Sequence, residues 1–264
     1  MFKIADLINK VYPCEASSFM LLMPANCIDL TVTSPPYDNL RNYKGYVFNF
    51  EAIANELFRV TKNGGVVVWV VGDATIKGSE TGTSFRQALY FKQIGFNLHD
   101  TMIYQKDNPP PIGGNNRYYQ HFEYMFVFSK GVPKIFNPIT TKRRNKWNDN
   151  RTERVKGFTR NKDGNFTKKK VSLIGDVKIG NIFKYVVGGG ASASNLIAHQ
   201  HPAIFPEQLV HDHIISWSNK GDIVFDPMCG SGTTLNEAKK LKRNYIGIDI
   251  SVEYQQLSLQ RLSS

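Results

Sequence analysis

Apolar residues recur along this chain with two different spacings, and the switches between them mark out its elements. Residues 28–33 (Ile-Asp-Leu-Thr-Val-Thr) read as a short buried strand that stops at a Pro-Pro turn. Between 50 and 62, apolar side chains fall at Phe50, Ile53, Ala54, Leu57, Phe58 and Val60, close to helical periodicity, and Asn63-Gly64-Gly65 ends the run. Residues 66–72 then form a continuous apolar stretch of the length of a central strand. A helix is predicted over 83–94 with Gly95 at its end, and strands over 98–105 and 122–128, where β-branched and aromatic residues concentrate. Beyond Phe128 the periodicity fades. It returns after Pro206, where Leu209, Val210, His213, Ile214 and Trp217 mark a helix face. A strand at 222–225, a helix at 233–241, a strand at 244–250 and a last helix at 252–262 follow. Strands alternating with helices predict the α/β class, with a mainly parallel sheet covered by helices on both faces.

Charge sharpens that division. The net charge is +11, from 33 basic and 22 acidic side chains. Residues 129–200 hold 16 of the basic and 4 of the acidic ones, so the rest of the chain is close to neutral. A neutral body with one basic segment suits a protein that grips a polyanion with one part and does chemistry with another; a solvated basic loop is the plainer alternative. No apolar run approaches the roughly 18–20 residues that span a bilayer. The amino terminus lacks the uninterrupted apolar stretch of a signal peptide. Cys14, Cys27 and Cys229 are odd in number, widely spaced and without a CxxC pair, which predicts no disulfide framework, no metal site and a reducing, cytoplasmic setting.

Two motifs carry candidate chemistry. The first is Asp226-Pro227-Met228-Cys229-Gly230-Ser231-Gly232-Thr233-Thr234, with Asp249 ending the next strand. A strand running into a glycine turn and a helix, with an acid closing the following strand, is Rossmann-type logic: the turn admits a nucleoside cofactor and the acid accepts hydrogen bonds from ribose hydroxyls. The acid just before the turn would repel a pyrophosphate. It suits an α-ammonium group or a sulfonium, and S-adenosylmethionine (AdoMet) carries both with no phosphate.

The second motif is Ser34-Pro35-Pro36-Tyr37, directly after the strand at 28–33. Pro36 fixes its own φ and restricts Pro35, so the turn is stiff. The Ser34 hydroxyl, the Pro35 carbonyl and the Tyr37 ring are left at the carboxyl edge of the sheet, where open α/β folds bind ligands. Such groups suit amino-methyl transfer. An exocyclic base amine is a poor nucleophile because its lone pair is delocalised into the ring. Two acceptors holding its hydrogens favour a pyramidal nitrogen and stabilise the charge that develops on it, while an aromatic face stacks the extruded base.

Together these motifs resemble the β class of AdoMet-dependent DNA amino-methyltransferases, the circularly permuted cytosine-N4/adenine-N6 group of restriction-modification systems. In that class the catalytic loop precedes the target-recognition region and the AdoMet turn comes last, which is the order here. The resemblance implies a Rossmann-like domain made of residues 1–130, with the catalytic loop at 33–37, and 200–264, which binds AdoMet. Residues 131–199 become a DNA-recognition insert. His201-Pro-Ala-Ile-Phe205-Pro206 resembles the family segment that encloses the methionine part of the cofactor, which implicates Phe205. Cys14-Glu15 stands where the family often has Gly-Asp at the cofactor adenine, which implicates Glu15, and Met228-Cys229 replaces the family's Phe-x before Gly-Ser-Gly. Arg41 beyond the loop and Lys142, Arg143, Arg144, Lys146, Lys168, Lys169 and Lys170 in the insert are the expected DNA contacts, although Arg41 equally suits a carboxylate.

Ser at the head of the loop is usual for cytosine-N4 enzymes, and Asp or Asn for adenine-N6 enzymes. The expectation is therefore N4 methylation of a flipped-out cytosine in double-stranded DNA, with adenine N6 as the alternative. RNA methylation and a non-catalytic DNA-binding protein are the rivals. A paired restriction endonuclease is a further partner that the family allows, no metal or membrane is expected, and a monomer or homodimer is left open.

Overall fold

Short-range signals set most element boundaries in the computed structural model, which describes residues 2–37, 48–109, 116–142, 153–172, 175–188, 192–193, 198 and 205–264. The chain divides into two compact units, one made of Met1–Asn137 with Asn181–Ser264 and one of Pro138–Gly180.

In the larger unit the chain opens with α1 (Ile4–Leu7), β1 (Lys10–Pro13), α2 (Ala16–Leu21) and β2 (Ile28–Thr33). It continues through α3 (Phe50–Val60), β3 (Thr61–Val71), a small hairpin of β4 (Thr75–Ile76) and β5 (Ser79–Glu80), α4 (Thr83–Gln93), β6 (Asn97–Lys106) and β7 (Phe122–Ser129). The smaller unit holds β8 (Thr140–Lys142), β9 (Glu153–Arg160), β10 (Phe166–Ser172) and β11 (Asp176–Lys178), paired antiparallel as β9 with β10 and β8 with β11. The larger unit resumes with β12 (Ile182–Tyr185), α5 (Glu207–Trp217), β13 (Ile223–Asp226), α6 (Thr233–Lys240), β14 (Asn244–Asp249) and α7 (Val252–Ser263).

Eight strands form one sheet in the order β1-β14-β13-β2-β3-β7-β6-β12. Its first five strands are parallel; β7 runs antiparallel between β3 and β6, and β12 is parallel to β6. The alternation of β3 explains why both faces are covered. Val67, Trp69 and Val71 join a core with Ala16 and Phe19 of α2, Leu57 of α3 and Phe91 of α4, while α5 and α6 pack from β2 to β14. Both side-chain sets of β3 are buried, so the strand reads as an unbroken apolar run rather than an alternation.

The helix expected to reach residue 62 stops at Val60. Its start is capped by the Asn49 side chain, which accepts from the Ala52 amide at 3.2 Å. Thr61 is already extended and pairs with Ile28, so β-branched Thr61 joins the sheet early. Gly64, at φ +82°, then makes the bend. Its amide donates to Lys130 O at 2.6 Å, and the Lys130 amide returns the bond to Gly65 O at 3.1 Å.

The segment 131–199 is split. Only 138–180 forms the separate unit, while β12 pairs with β6 and buries Phe183 and Tyr185. Among the described residues, no helix is long and apolar enough to cross a membrane.

Candidate active site

The parallel strands β14, β13, β2 and β3 end on one edge of the sheet at Asp249, Asp226, Thr33 and Val71. Because β7 is antiparallel to β3, with Tyr124 opposite Val71, the start of β7 lies at that same edge. Topology alone therefore gathers both motifs and the Phe122-Glu123 corner.

The glycine turn is built from within. The Gly230 amide donates to Asp249 Oδ2 and the Ser251 amide to Asp249 Oδ1, both at 2.9 Å. Each of these oxygens retains a lone pair for a ligand hydroxyl. Gly232, the N-cap of α6, sits at φ +75°, and a Cβ there would come within 2.8 Å of Ser258 Oγ and 2.9 Å of Ser258 Cβ. Glycine is required on both counts. Ser258 in turn donates to Gly230 O at 2.7 Å. Cys229 is buried with its sulfur 3.9 Å from Ser258 Oγ, and its amide donates to Ile248 O at 2.9 Å, so it serves the turn mainly through its backbone.

Asp226 is buried at the end of β13 and accepts from Thr33 Oγ1 at 2.7 Å and from the Met228 amide at 3.1 Å. Burial pushes its carboxyl up to about 6, against the pull of the hydrogen bonds from Thr33 and Met228. Burial also raises Asp249. A cationic ligand beside Asp226 would offset the burial that opposes its ionisation.

The Thr33–Asp226 bond also joins the two motifs, since Thr33 immediately precedes Ser34. A second link is the Thr234 hydroxyl, which donates to Val32 O at 3.2 Å. Pro35 is buried, and Ser34, Pro36 and Tyr37 are half-buried. Ser34 Oγ lies 2.9 Å from Tyr37 Oη, which donates to Glu123 Oε2 at 2.7 Å. Glu123 Oε1 pairs with Lys106 Nζ at 2.6 Å. The Tyr37 ring lies beside Gly72, where an added Cβ would sit 3.6 Å from it. Burial first, and then the Glu123 carboxylate, hold the Tyr37 phenol well above its ordinary value, so it keeps its proton.

Other expected residues are placed less centrally. Glu15 is the N-cap of α2, accepting from the Ser17 and Ser18 amides at 2.9 and 2.7 Å and from Ser17 Oγ at 2.8 Å. Burial opposes ionisation there, but these hydrogen bonds prevail and hold the carboxyl below its ordinary value. The side chain expected at the cofactor adenine also caps α2, and the Cys14 amide before it donates to Asp249 O at 3.0 Å. Half-buried Phe205 precedes Pro206, and buried Pro227 follows Asp226. In the smaller unit Lys142 ends β8 and is exposed, and Lys168, Lys169 and Lys170 lie on β10. Arg41, Arg143, Arg144, Lys146 and His201 lie outside the described residues. Among the described residues, no three His, Cys, Asp or Glu side chains form a group that could hold a metal ion.

Three residues of the site escaped sequence reasoning. Glu123 and Lys106 reach Tyr37 only through the pairing of β6, β7 and β3. Arg261 of α7 is buried beneath the glycine turn, donating to Ser231 O at 2.8 Å, Ser231 Oγ at 3.1 Å and Thr233 Oγ1 at 3.0 Å. Its other arm donates to Glu207 Oε1 at 3.0 Å.

A family model described as DNA methylase, of the N6/N4 methyltransferases, matches residues 28–260. The orphan methyltransferase M.BamHII of Bacillus amyloliquefaciens is 58% identical over 239 residues, covering 90% of this chain and 89% of that protein. Among solved structures, the chain is similar to the PvuII DNA methyltransferase (cytosine-N4-specific), with a TM-score of 0.68 at 19% identity over 95% of this chain and 85% of that one. It is similar also to M1.HpyAVI in complex with SAM, with a TM-score of 0.62 at 20% identity over 97% and 99% of the two chains. At such identities these two likenesses are of fold.

Proposed function

Since this chain belongs to the N6/N4 DNA methylase family, we propose that it transfers a methyl group from AdoMet to the exocyclic N4 of cytosine in DNA. The observation that carries the reading is the Thr33–Asp226 hydrogen bond at 2.7 Å, which ties the strand feeding the Ser34–Tyr37 loop to the strand feeding the glycine turn. A methyl donor in the turn and an amine held by the loop then meet at one sheet edge. Supporting cytosine is the neutral hydroxyl of Ser34, where adenine enzymes more usually carry a carboxylate or amide.

In this mechanism the Asp249 carboxylate would receive the ribose hydroxyls of AdoMet, the Gly230-Ser231-Gly232 backbone would let the cofactor approach, and Asp226 would supply negative potential to its cationic part. AdoMet provides the electrophilic methyl. The chain's own task is to hold the flipped base against Tyr37 and its amine on Ser34 Oγ and the Pro35 carbonyl, in line for transfer. AdoMet, when bound, would supply the methyl carbon to the amine nitrogen with its sulfur as leaving group, and the proton shed by the nitrogen would pass to solvent. In this reading Lys142 and Lys168–Lys170 of the basic segment supply phosphate contacts that grip the DNA, and Arg41, Arg143, Arg144 and Lys146 are further candidate contacts.

Incubating the protein with unmodified DNA and AdoMet and resolving the nucleosides by mass spectrometry is expected to yield N4-methylcytosine. N6-methyladenine instead would retain the family and overturn the base assignment. An absence of methylated nucleosides from protein that binds AdoMet would overturn the reading altogether.

A pH dependence follows from Asp226. As pH falls through about 6 the free protein protonates this carboxyl, and a cationic cofactor loses its partner. AdoMet affinity is expected to fall by up to about tenfold per pH unit below that point, measured by calorimetry between pH 5 and 8, and Asp226→Asn should flatten the profile. The sign for stability is opposite. Between its unfolded value and about 6 the folded state holds this proton more tightly, so the contribution of Asp226 to stability declines as pH rises through that window.

A further inference from the structure

Ser34, Tyr37, Glu123 and Lys106 form a chain of hydrogen bonds at 2.9, 2.7 and 2.6 Å, and counting its protons gives it a direction. A carboxylate only accepts, and Lys106 satisfies one of its oxygens. Tyr37 has one hydroxyl proton and spends it on the other. In the Ser34–Tyr37 bond the distance alone allows either donor, but the phenol has no second proton to give. Ser34 must therefore be the donor, and its own proton points inward to Tyr37 Oη.

We propose that Glu123 is a positioning residue for methyl transfer: through Tyr37 it fixes the Ser34 hydroxyl proton inward, so that Ser34 Oγ faces the target amine with lone pairs only. The proposal rests on the reading of Ser34 as an amine-holding group. It accounts for how a neutral hydroxyl does the work of an acceptor. A free serine would rotate and would present its O–H to the amine hydrogens for part of the time, opposing two donors to each other. The ion pair with Lys106, at side-chain exposures of 16% for Glu123 and 20% for Lys106, is sheltered enough to hold the carboxylate in place. Gly72 has room for the Tyr37 ring beside it.

Glu123→Gln is nearly isosteric and reverses the chain. Lys106 can only donate, so it recruits the amide oxygen and leaves the NH2 group facing Tyr37. Tyr37 must then donate to Ser34, and the serine proton is driven outward to the amine. Single-turnover transfer of labelled methyl from AdoMet to unmodified genomic DNA is expected to slow by about 10–100-fold, with AdoMet affinity unchanged. Two further variants separate direction from mere packing. In Glu123→Gln/Lys106→Met the lysine no longer claims the amide oxygen, the amide can flip, and most of the lost rate should return. In a Tyr37→Phe background the chain is cut, so adding Glu123→Gln should change the rate by no more than about twofold.

A double Glu123/Lys106 variant slower than Glu123→Gln alone would overturn the proposal. So would an equal effect of Glu123→Gln with and without the Tyr37 hydroxyl. The neutral double variant buries no lone charge, so it reports even where the single variant folds poorly. Wild-type methylation with a silent Glu123→Gln would remove this role alone, whereas AdoMet-binding wild-type protein that methylates no DNA would remove the underlying reading as well.

Discussion

Replacing Arg261 with leucine is expected to cost about 3–5 kcal/mol of stability and to abolish AdoMet binding at ordinary concentrations. The guanidinium is wholly buried and joins three segments far apart in sequence. It grips Ser231 and Thr233 in the glycine turn, and it pairs with Glu207 in the first turn of α5, just beyond Phe205-Pro206. A leucine fills some of the volume but leaves a mostly buried carboxylate without its nearest cation; Lys240, at 4.0 Å from Glu207, is beyond hydrogen-bond reach. The Ser231 carbonyl would lose its donor at the same time. Burial pulls the Arg261 pKa down and Glu207 opposes that pull, so the pair is held by mutual need rather than by solvent. Arg261→Lys keeps the charge but not the planar fork, and it should recover part of the stability while leaving the turn loose. Urea unfolding followed by AdoMet titration checks both statements. A leucine variant that unfolds within about 1 kcal/mol of the parent would show that the ion pair only breaks even with an apolar substitute.

Arg261 also illustrates what the sequence displayed and what it hid. Val66–Val71, Asp226–Thr234 and Asp249 were legible because local rules govern them: a fully buried strand must be apolar throughout, and a turn that admits a cofactor must have glycine where φ is positive. Arg261 gives no such signal, since arginine near the end of a terminal helix usually faces water. Its partners lie 28 to 54 residues away, and nothing but the packing of α7 against the glycine turn brings them together. Glu123 was hidden for a related reason. Sequence places this acid at the head of an aromatic strand, but its bond to Tyr37 depends on β7 running antiparallel to β3. The hairpins of residues 138–180 give no periodic signal because Lys168-Lys169-Lys170 interrupts any alternation of apolar and polar positions. β12 is not distinguishable from the insert in sequence because its four residues follow a long stretch without periodicity. Glu15 carries two signals at once: its place in the sequence suggests a cofactor contact, and a carboxylate before a helix with Ser17 and Ser18 behind it is also a capping signal.

Ser34→Ala is expected to lower single-turnover methyl transfer by about 10²–10³-fold, equivalent to roughly 2.7–4 kcal/mol of transition-state stabilisation, while AdoMet affinity stays within about twofold. The loss falls on the chemical step because the hydroxyl oxygen matters most when the amine nitrogen becomes positive, and little before that. Alanine removes the acceptor without creating a clash, and Tyr37 still donates to Glu123, so the loop should keep its shape. Asp226→Asn should behave in the opposite way. It sits under the cofactor turn, so it should weaken AdoMet binding and leave the rate at saturation much less affected. Thr33 stands between the two, bonded to Asp226 and next in sequence to Ser34. Thr33→Val, which removes that bond with little change of volume, should therefore disturb both parameters modestly. If Ser34→Ala transferred methyl groups at the parental rate, the amine would be held by the Pro35 carbonyl and the base pocket alone. The hydroxyl of Ser34 would then have no part in the reaction, and with it would go the argument that the loop selects cytosine.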